Sequence, residues 1–292
     1  MDAVRQIADA VLYEGYILWP YRRSALKNTH RFTFGGVDPH GTMRTEVLLE
    51  DGGDAAVEVS VRFLQAVRRQ LCQGGEPVDE LTVEGERHLS WEEATERELS
   101  LEGTGRIPIA VPAGRVEGRL SADCSVIRSW GSLEGEVSVD AKPLRPGLVR
   151  LSVEISNTTP LEGTFCSTHT ILRVHGGAFV SLTDPPDELR AEAEACRNEG
   201  TWPVLVGEPG ERHTMLSSRI ILEEYPRVAA ESPGNLFDGG EIDELLTLNI
   251  LGLTDDEKAE MRATDPRARE ILDRTEALTN EELMRLHGMV RP

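Results

Sequence analysis

Residues 148–160 read LVRLSVEISNTTP, and this stretch decides the fold. Val149, Leu151, Val153 and Ile155 lie on one side of a two-residue repeat, with Arg150, Ser152, Glu154 and Ser156 on the other. That alternation belongs to a strand with one face on a core and one face in water. Asn157-Thr158-Thr159-Pro160 supplies the turn chemistry that ends it. The same period recurs upstream at Met43, Thr45, Val47 and Leu49, where Asp51-Gly52-Gly53-Asp54 reads as a turn. It recurs again at Val57, Val59, Val61 and Phe63, with Glu58, Ser60 and Arg62 expected to face water.

Further strands are expected over 31–36, 80–89, 106–111, 134–141, 166–174, 177–182, 203–206 and 215–222. Many short strands with Gly/Pro-rich turns indicate a mainly β, antiparallel, sandwich-like body. Residues 3–17 place Val4, Ile7, Ala8, Val11 and Leu12 at helical spacing, with Pro20 as the expected breaker. A small helix is expected at 187–198. Residues 90–99 (SWEEATEREL) fit either a helix opened by Ser90 and Glu93 or an outlying strand.

From about Glu241 the chain reads as short helices. Thr254-Asp255-Asp256-Glu257 and Thr279-Asn280-Glu281-Glu282 fit capping boxes, and Asp265-Pro266 fits an N-cap before a first-turn proline. Gly288 suits the end of the last helix. Helices this short need a surface to dock on. The expected organisation is an N-terminal helix and aromatic–basic segment (1–30), a β-sandwich-like domain (31–230) and a C-terminal helical appendage (231–292).

The composition narrows the function classes. Across 292 residues the formal net charge is −20, which disfavours a nucleic-acid-binding body because phosphate neutralisation needs a basic face. No apolar run approaches the ~20 residues of a membrane span, and MDAVRQIADAV is too polar for a signal peptide, so a cytoplasmic protein is expected. Cys72, Cys124, Cys166 and Cys196 are dispersed, as suits reduced thiols rather than a disulfide framework.

Common nucleotide-binding, serine-hydrolase and zinc-protease motifs do not occur. Cys166 and His169 are three residues apart, with His175 following. On a regular strand 166 and 169 face opposite sides, and no second half-site is evident, so neither a metal nor a cofactor is expected. His30, His40, His88 and His213 stand alone and read as surface or turn residues. Tyr13, Tyr16, Trp19, Tyr21, Arg22, Arg23 and Lys27 crowd into one segment. Aromatics with arginine are enriched in interface hot spots; the alternative is that the rings pack on the sheet while the cations stay solvated. Met261, Met284 and Met289 place three of six methionines in the C-terminal helices, suiting either adaptable partner binding or ordinary core filling. The candidate partner-binding set is Tyr16, Trp19, Tyr21, Arg22, Arg23, Lys27, Met261 and Met284.

Three stretches together resemble an uncharacterised family of bacterial proteins encoded beside the structural genes of [NiFe] uptake hydrogenases. They are VLYEGYILWPYRRSALKNTHRFTFGG (11–36), GGAFVSLTDPP (176–186) and EIDELLTLNILGLTDDEKAEMRATDPRAREILDRTEALTNEELMRLHG (241–288). The resemblance brings no catalytic or ligand residues with it. It implies an accessory role: helping a hydrogenase subunit fold, receive its metal centre or assemble, with that subunit or another accessory protein as partner. The expectation is therefore a non-catalytic protein acting through protein–protein contacts. Two rivals remain. One is a hydrolase, marked by a cleft lined by two or more of His169, His175 and His213 with carboxylates. The other is an interaction module unrelated to hydrogenase.

Overall fold

The computed structural model describes residues 3–29, 31–32, 35–227, 236 and 243–287, excluding the side chains of 243 and 284–287. Helix α1 (Ala3–Tyr13) opens the chain. The strands then follow as β1 (Thr42–Gln73), β2 (Glu76–Val78), β3 (Glu80–Val83), β4 (Glu86–Leu89), β5 (Trp91–Glu102) and β6 (Gly105–Val111). After them come β7 (Gly114–Arg119), β8 (Cys124–Trp130), β9 (Leu133–Arg145), β10 (Leu148–Asn157) and β11 (Cys166–Phe179). Helix α2 (Arg190–Glu194) precedes β12 (Trp202–Leu205) and β13 (Thr214–Ser218). Helices α3 (Asp243–Leu251), α4 (Asp255–Thr264), α5 (Pro266–Glu276) and α6 (Asn280–His287) complete the described elements. The fold is mainly β, one large antiparallel sheet flanked by N- and C-terminal helices.

The alternation read at 148–156 holds in β10. Leu151, Val153 and Ile155 are buried, Glu154 is exposed, and Val149 is half-buried. The sheet runs β12-β13-β11-β1-β10-β9-β6, with β5, β8 and β2 also on β1 and β7 on β8. β1 pairs with β10 over residues 42–50 and with β5 over 58–69, so it belongs to two limbs of the sheet. The inward residues of both limbs form one core that includes Val47, Val61, Phe63, Val137, Val153, Phe165 and Leu172. Phe63 stacks on Phe165 at 4.7 Å between ring centres.

The expected turn at 51–54 is instead a bulge within β1. The Asp51 carboxylate accepts from the amides of Gly53 (2.6 Å) and Ala55 (3.1 Å), and the register with β11 shifts between residues 51 and 56. Turn chemistry here bends a strand without reversing it. The expected wet face of 58–62 is also corrected, because Ser60 and Arg62 are buried and Glu58 is half-buried. Helix α1 covers that face, and the Arg62 guanidinium reaches Asp9 (2.7 Å), Glu96 (3.4 Å) and Glu98 (3.6 Å).

Other boundaries move. The helix expected over 3–17 ends at Tyr13, before Pro20. Among the described residues of 31–36 there is no strand; Val37 makes a single bridge to Phe165. Residues 80–89 form the β3–β4 hairpin, and 166–174 with 177–182 become the single strand β11, ending at Phe179. Residues 91–102 are strand, because their inward side meets β1 residue for residue. Strands β2, β7 and β8 carry weaker alternation and were not expected.

The C-terminal helices begin as read. Thr254 Oγ1 accepts from the Glu257 amide while the Glu257 carboxylate accepts from the Thr254 amide, and Thr279 and Glu282 repeat the arrangement. Asp265 caps α5 ahead of Pro266. Gly288, His30, Met289 and most of the expected boundary at 230–240 lie outside the described residues. No helix among the described residues is long and apolar enough to cross a membrane.

Candidate functional site

The N-terminal aromatic segment lies between the sheet and the C-terminal helices. Tyr16, Ile17 and Tyr21 share one buried cluster with Leu64 and Trp91 of the sheet and with Leu246, Ile250, Met261, Ile271 and Leu272 of the helices. The Tyr16 hydroxyl donates to Asp265 at 2.8 Å, and the Tyr21 hydroxyl donates to the Leu236 carbonyl at 2.6 Å. Burial, reinforced by the Asp265 carboxylate, raises the Tyr16 hydroxyl above its ordinary pKa.

Three of the eight partner-binding candidates, Tyr16, Tyr21 and Met261, are thus interior residues that join helices to sheet. Trp19 is half-buried and meets Tyr21 edge-on at 6.1 Å. Arg22 pairs with Glu257 at 3.0 Å, and Arg23 donates to the Asp79 carbonyl at 2.8 Å. Lys27 is exposed in a short helical turn. The Met284 side chain lies outside the description.

The histidines do not converge. A register shift between Arg62 and Leu64 places Cys166 opposite Leu64 and His169 opposite Arg62. Both therefore share the face covered by the N-terminal segment, rather than facing opposite sides as a regular strand requires. Burial pushes the Cys166 thiol up to about 12, which leaves it protonated. His169 is fully buried, and burial followed by the neighbouring Arg62 charge holds it down to about 3. Its Nδ1 lies 3.2 Å from the Ser167 carbonyl, which can only accept, so the proton sits on Nδ1. Nε2 is left as a bare acceptor with no partner. No group of three or more metal-ligating side chains occurs among the described residues. His175 borders a cavity of about 570 Å³ between the β1 bulge and the β5–β6 turn, which neither His169 nor His213 lines.

A second, larger cleft lies at a break in the sheet. β8 and β11 occupy the same edge of β1, because β5 holds the opposite edge alongside both. β11 ends its pairing at Leu64↔Cys166, and β8 begins at Arg68↔Ser129. Gln65, Ala66 and Val67 between them pair only with β5. A cleft of about 700 Å³ opens over this break, with Gln65 and Ala66 on its floor, Trp130 and Cys166 near its ends, and Arg31 and Phe32 beside it.

Each wall is held by identifiable contacts. The buried Gln65 amide donates to the Gly131 carbonyl at 2.8 Å and accepts from Arg97 at 2.7 Å. The Trp130 indole donates to the Pro112 carbonyl at 3.1 Å and lies on Gly114, where a Cβ would come within 2.4 Å of the ring. Arg31 stacks against Trp91, Tyr16 and Phe32 at 4.2, 4.5 and 4.7 Å from the ring centres, an arrangement favoured by the ring quadrupoles. It donates to the Tyr16 and Glu92 carbonyls, and burial lowers its pKa. At the rim Arg68 is exposed, and Leu161, next to the lining residue Glu162, is 86% exposed.

The aromatic–basic pattern read from the sequence stops at Lys27, short of Arg31 and Phe32, which were expected to open a strand, and it gives no sign of Gln65, Trp130 or the break itself. No local pattern marks a place where two strands distant in sequence stop short of each other. Comparison with protein-family models and with curated proteins gives no match for this chain.

Proposed function

We propose that the protein is a non-catalytic cytoplasmic accessory protein that acts by holding a partner protein at this cleft. The observation that carries the proposal is the cleft's lining. Trp130, Phe32, Arg31 and Arg68 are the residue types that dominate interface energetics, and they surround a concavity of ligand-binding size. The exposed Leu161 beside the cleft adds an apolar contact that folding leaves uncovered. Support for a [NiFe] hydrogenase subunit, or another accessory protein of its assembly, as partner comes from the three resembling stretches. In this reading Arg31 and Phe32, which follow the aromatic–basic segment, build the cleft wall, while the tyrosines of that segment anchor it from behind.

The test uses tagged full-length protein in cells that express a [NiFe] hydrogenase. Arg68→Glu and Leu161→Asp change exposed side chains, so both variants should keep the wild-type circular dichroism and thermal transition. Recovery of the hydrogenase large subunit with the variants should fall severalfold, along with hydrogenase activity. Equal recovery from wild type and variants would remove the cleft as the partner surface.

A further inference from the structure

Gln65-Ala66-Val67 is a short length of strand edge that no other described strand occupies on the cleft side. Gln65 and Val67 are buried and Ala66 is half-buried, yet no other described strand, turn or loop bonds to the main chain of these residues on the cleft side. Main-chain donors and acceptors in such a place need partners, and an open edge is a template for another extended chain. Native proteins usually blunt exposed edges with charge or proline. The outer edge of β5 follows that rule, with Glu92, Glu93, Glu96, Arg97 and Glu98 along it. The break has neither device; its three residues are neutral, none is proline, and those whose main-chain groups point away from β5 can pair.

The shape of the break restricts what can enter. Ser129 and Cys166 close it at positions opposite Arg68 and Leu64, four residue steps apart, a span of roughly 13 Å. A polypeptide passing through would have to bend in and out of the sheet within that span. A chain end needs only one exit. Phe32 on one side and Trp130 at one end offer apolar surface to its side chains, while Gln65 is occupied by Gly131 and Arg97 and so keeps the floor fixed.

We propose that the break receives the extended end of a partner polypeptide, which pairs its main chain with Gln65–Val67 and completes the edge shared by β8 and β11. The inference rests on the cleft being the partner surface and specifies how that surface is used. Recognition then comes mainly from backbone hydrogen bonds, with Phe32 and Trp130 selecting side chains.

Random-peptide libraries, presented with either a free amino end or a free carboxyl end, are selected on the full-length protein. Hydrogen exchange is then followed with the selected peptides in solution. Binders should come from one of the two libraries and should lose binding when extra residues extend the free end. The cleft-facing amides among residues 65–67 should exchange at least about tenfold more slowly in their presence. Absence of binders from both libraries would overturn the proposal, as would binders that tolerate extension or leave exchange at 65–67 unchanged. Binders that protect other cleft residues alone overturn chain-end pairing but leave the cleft as a partner surface. The cleft itself fails only if the Arg68→Glu and Leu161→Asp variants recover partner as well as wild type.

Discussion

His169 shows how a single side chain can set a pH limit on the fold. Its imidazole is neutral in the folded protein and titrates near 3, whereas in the unfolded chain it titrates near 6.5. Between these values the unfolded state binds the extra proton, so stability falls as pH falls from about 6.5 and the loss levels off near 3. From pH 7 to pH 5 this single group should cost the fold about 2 kcal/mol. His169→Asn keeps an amide donor for the Ser167 carbonyl and removes the titration. Urea midpoints for wild type and variant at the two pH values check this: the wild type should lose more on acidification, and parallel losses would refute the assignment. The sequence marked His169 as a neighbour of Cys166 and as one of the three histidines that a hydrolase cleft would use. Its burial depends on α1 lying over β11 and on Arg62 across the ladder, neither of which a strand pattern reports.

Among the elements, those whose signals are local were legible. The caps of α4 and α5 and the alternation of β10 are set by residues within a few positions of each other, and they occur as read. Thr254→Ala should therefore weaken α4 by about 1 kcal/mol. Exchange of the first-turn amides of α4 should accelerate while that of β10 stays unchanged; uniform acceleration would show that the cap serves the whole fold. The misread elements are those whose environment comes from afar. Gly52-Gly53 bulges because β11 continues alongside β1 past it, and 91–102 is strand because β1 is there to pair with it. The wet face expected at Ser60 and Arg62 became interior because a helix placed some fifty residues earlier docks on it. The cleft belongs to this second class, being defined by where two distant strands stop.

At the scale of the molecule, the helical tail and the N-terminal segment form one interior with the sheet. Leu246, Ile250, Met261, Ile271 and Leu272 are all buried there, and at about 2 kcal/mol each their burial contributes roughly 10 kcal/mol, comparable to the net stability of a domain. A chain ending at residue 241 should therefore lose its cooperative thermal transition and bind an apolar dye. A sharp transition within a few degrees of the full-length value would show the tail to be separable. The bond from Tyr16 to Asp265 joins residues 249 positions apart. On a ribosome adding about 5–20 residues per second, the interval between emergence of these two partners is roughly 12–50 s. For that time the N-terminal tyrosines have no tail to cover them, and the newborn chain must be shielded until its last helices arrive. Rare-codon pauses between the codons for these two residues would lengthen that exposed interval, whereas a pause before the codon for Tyr16 would not.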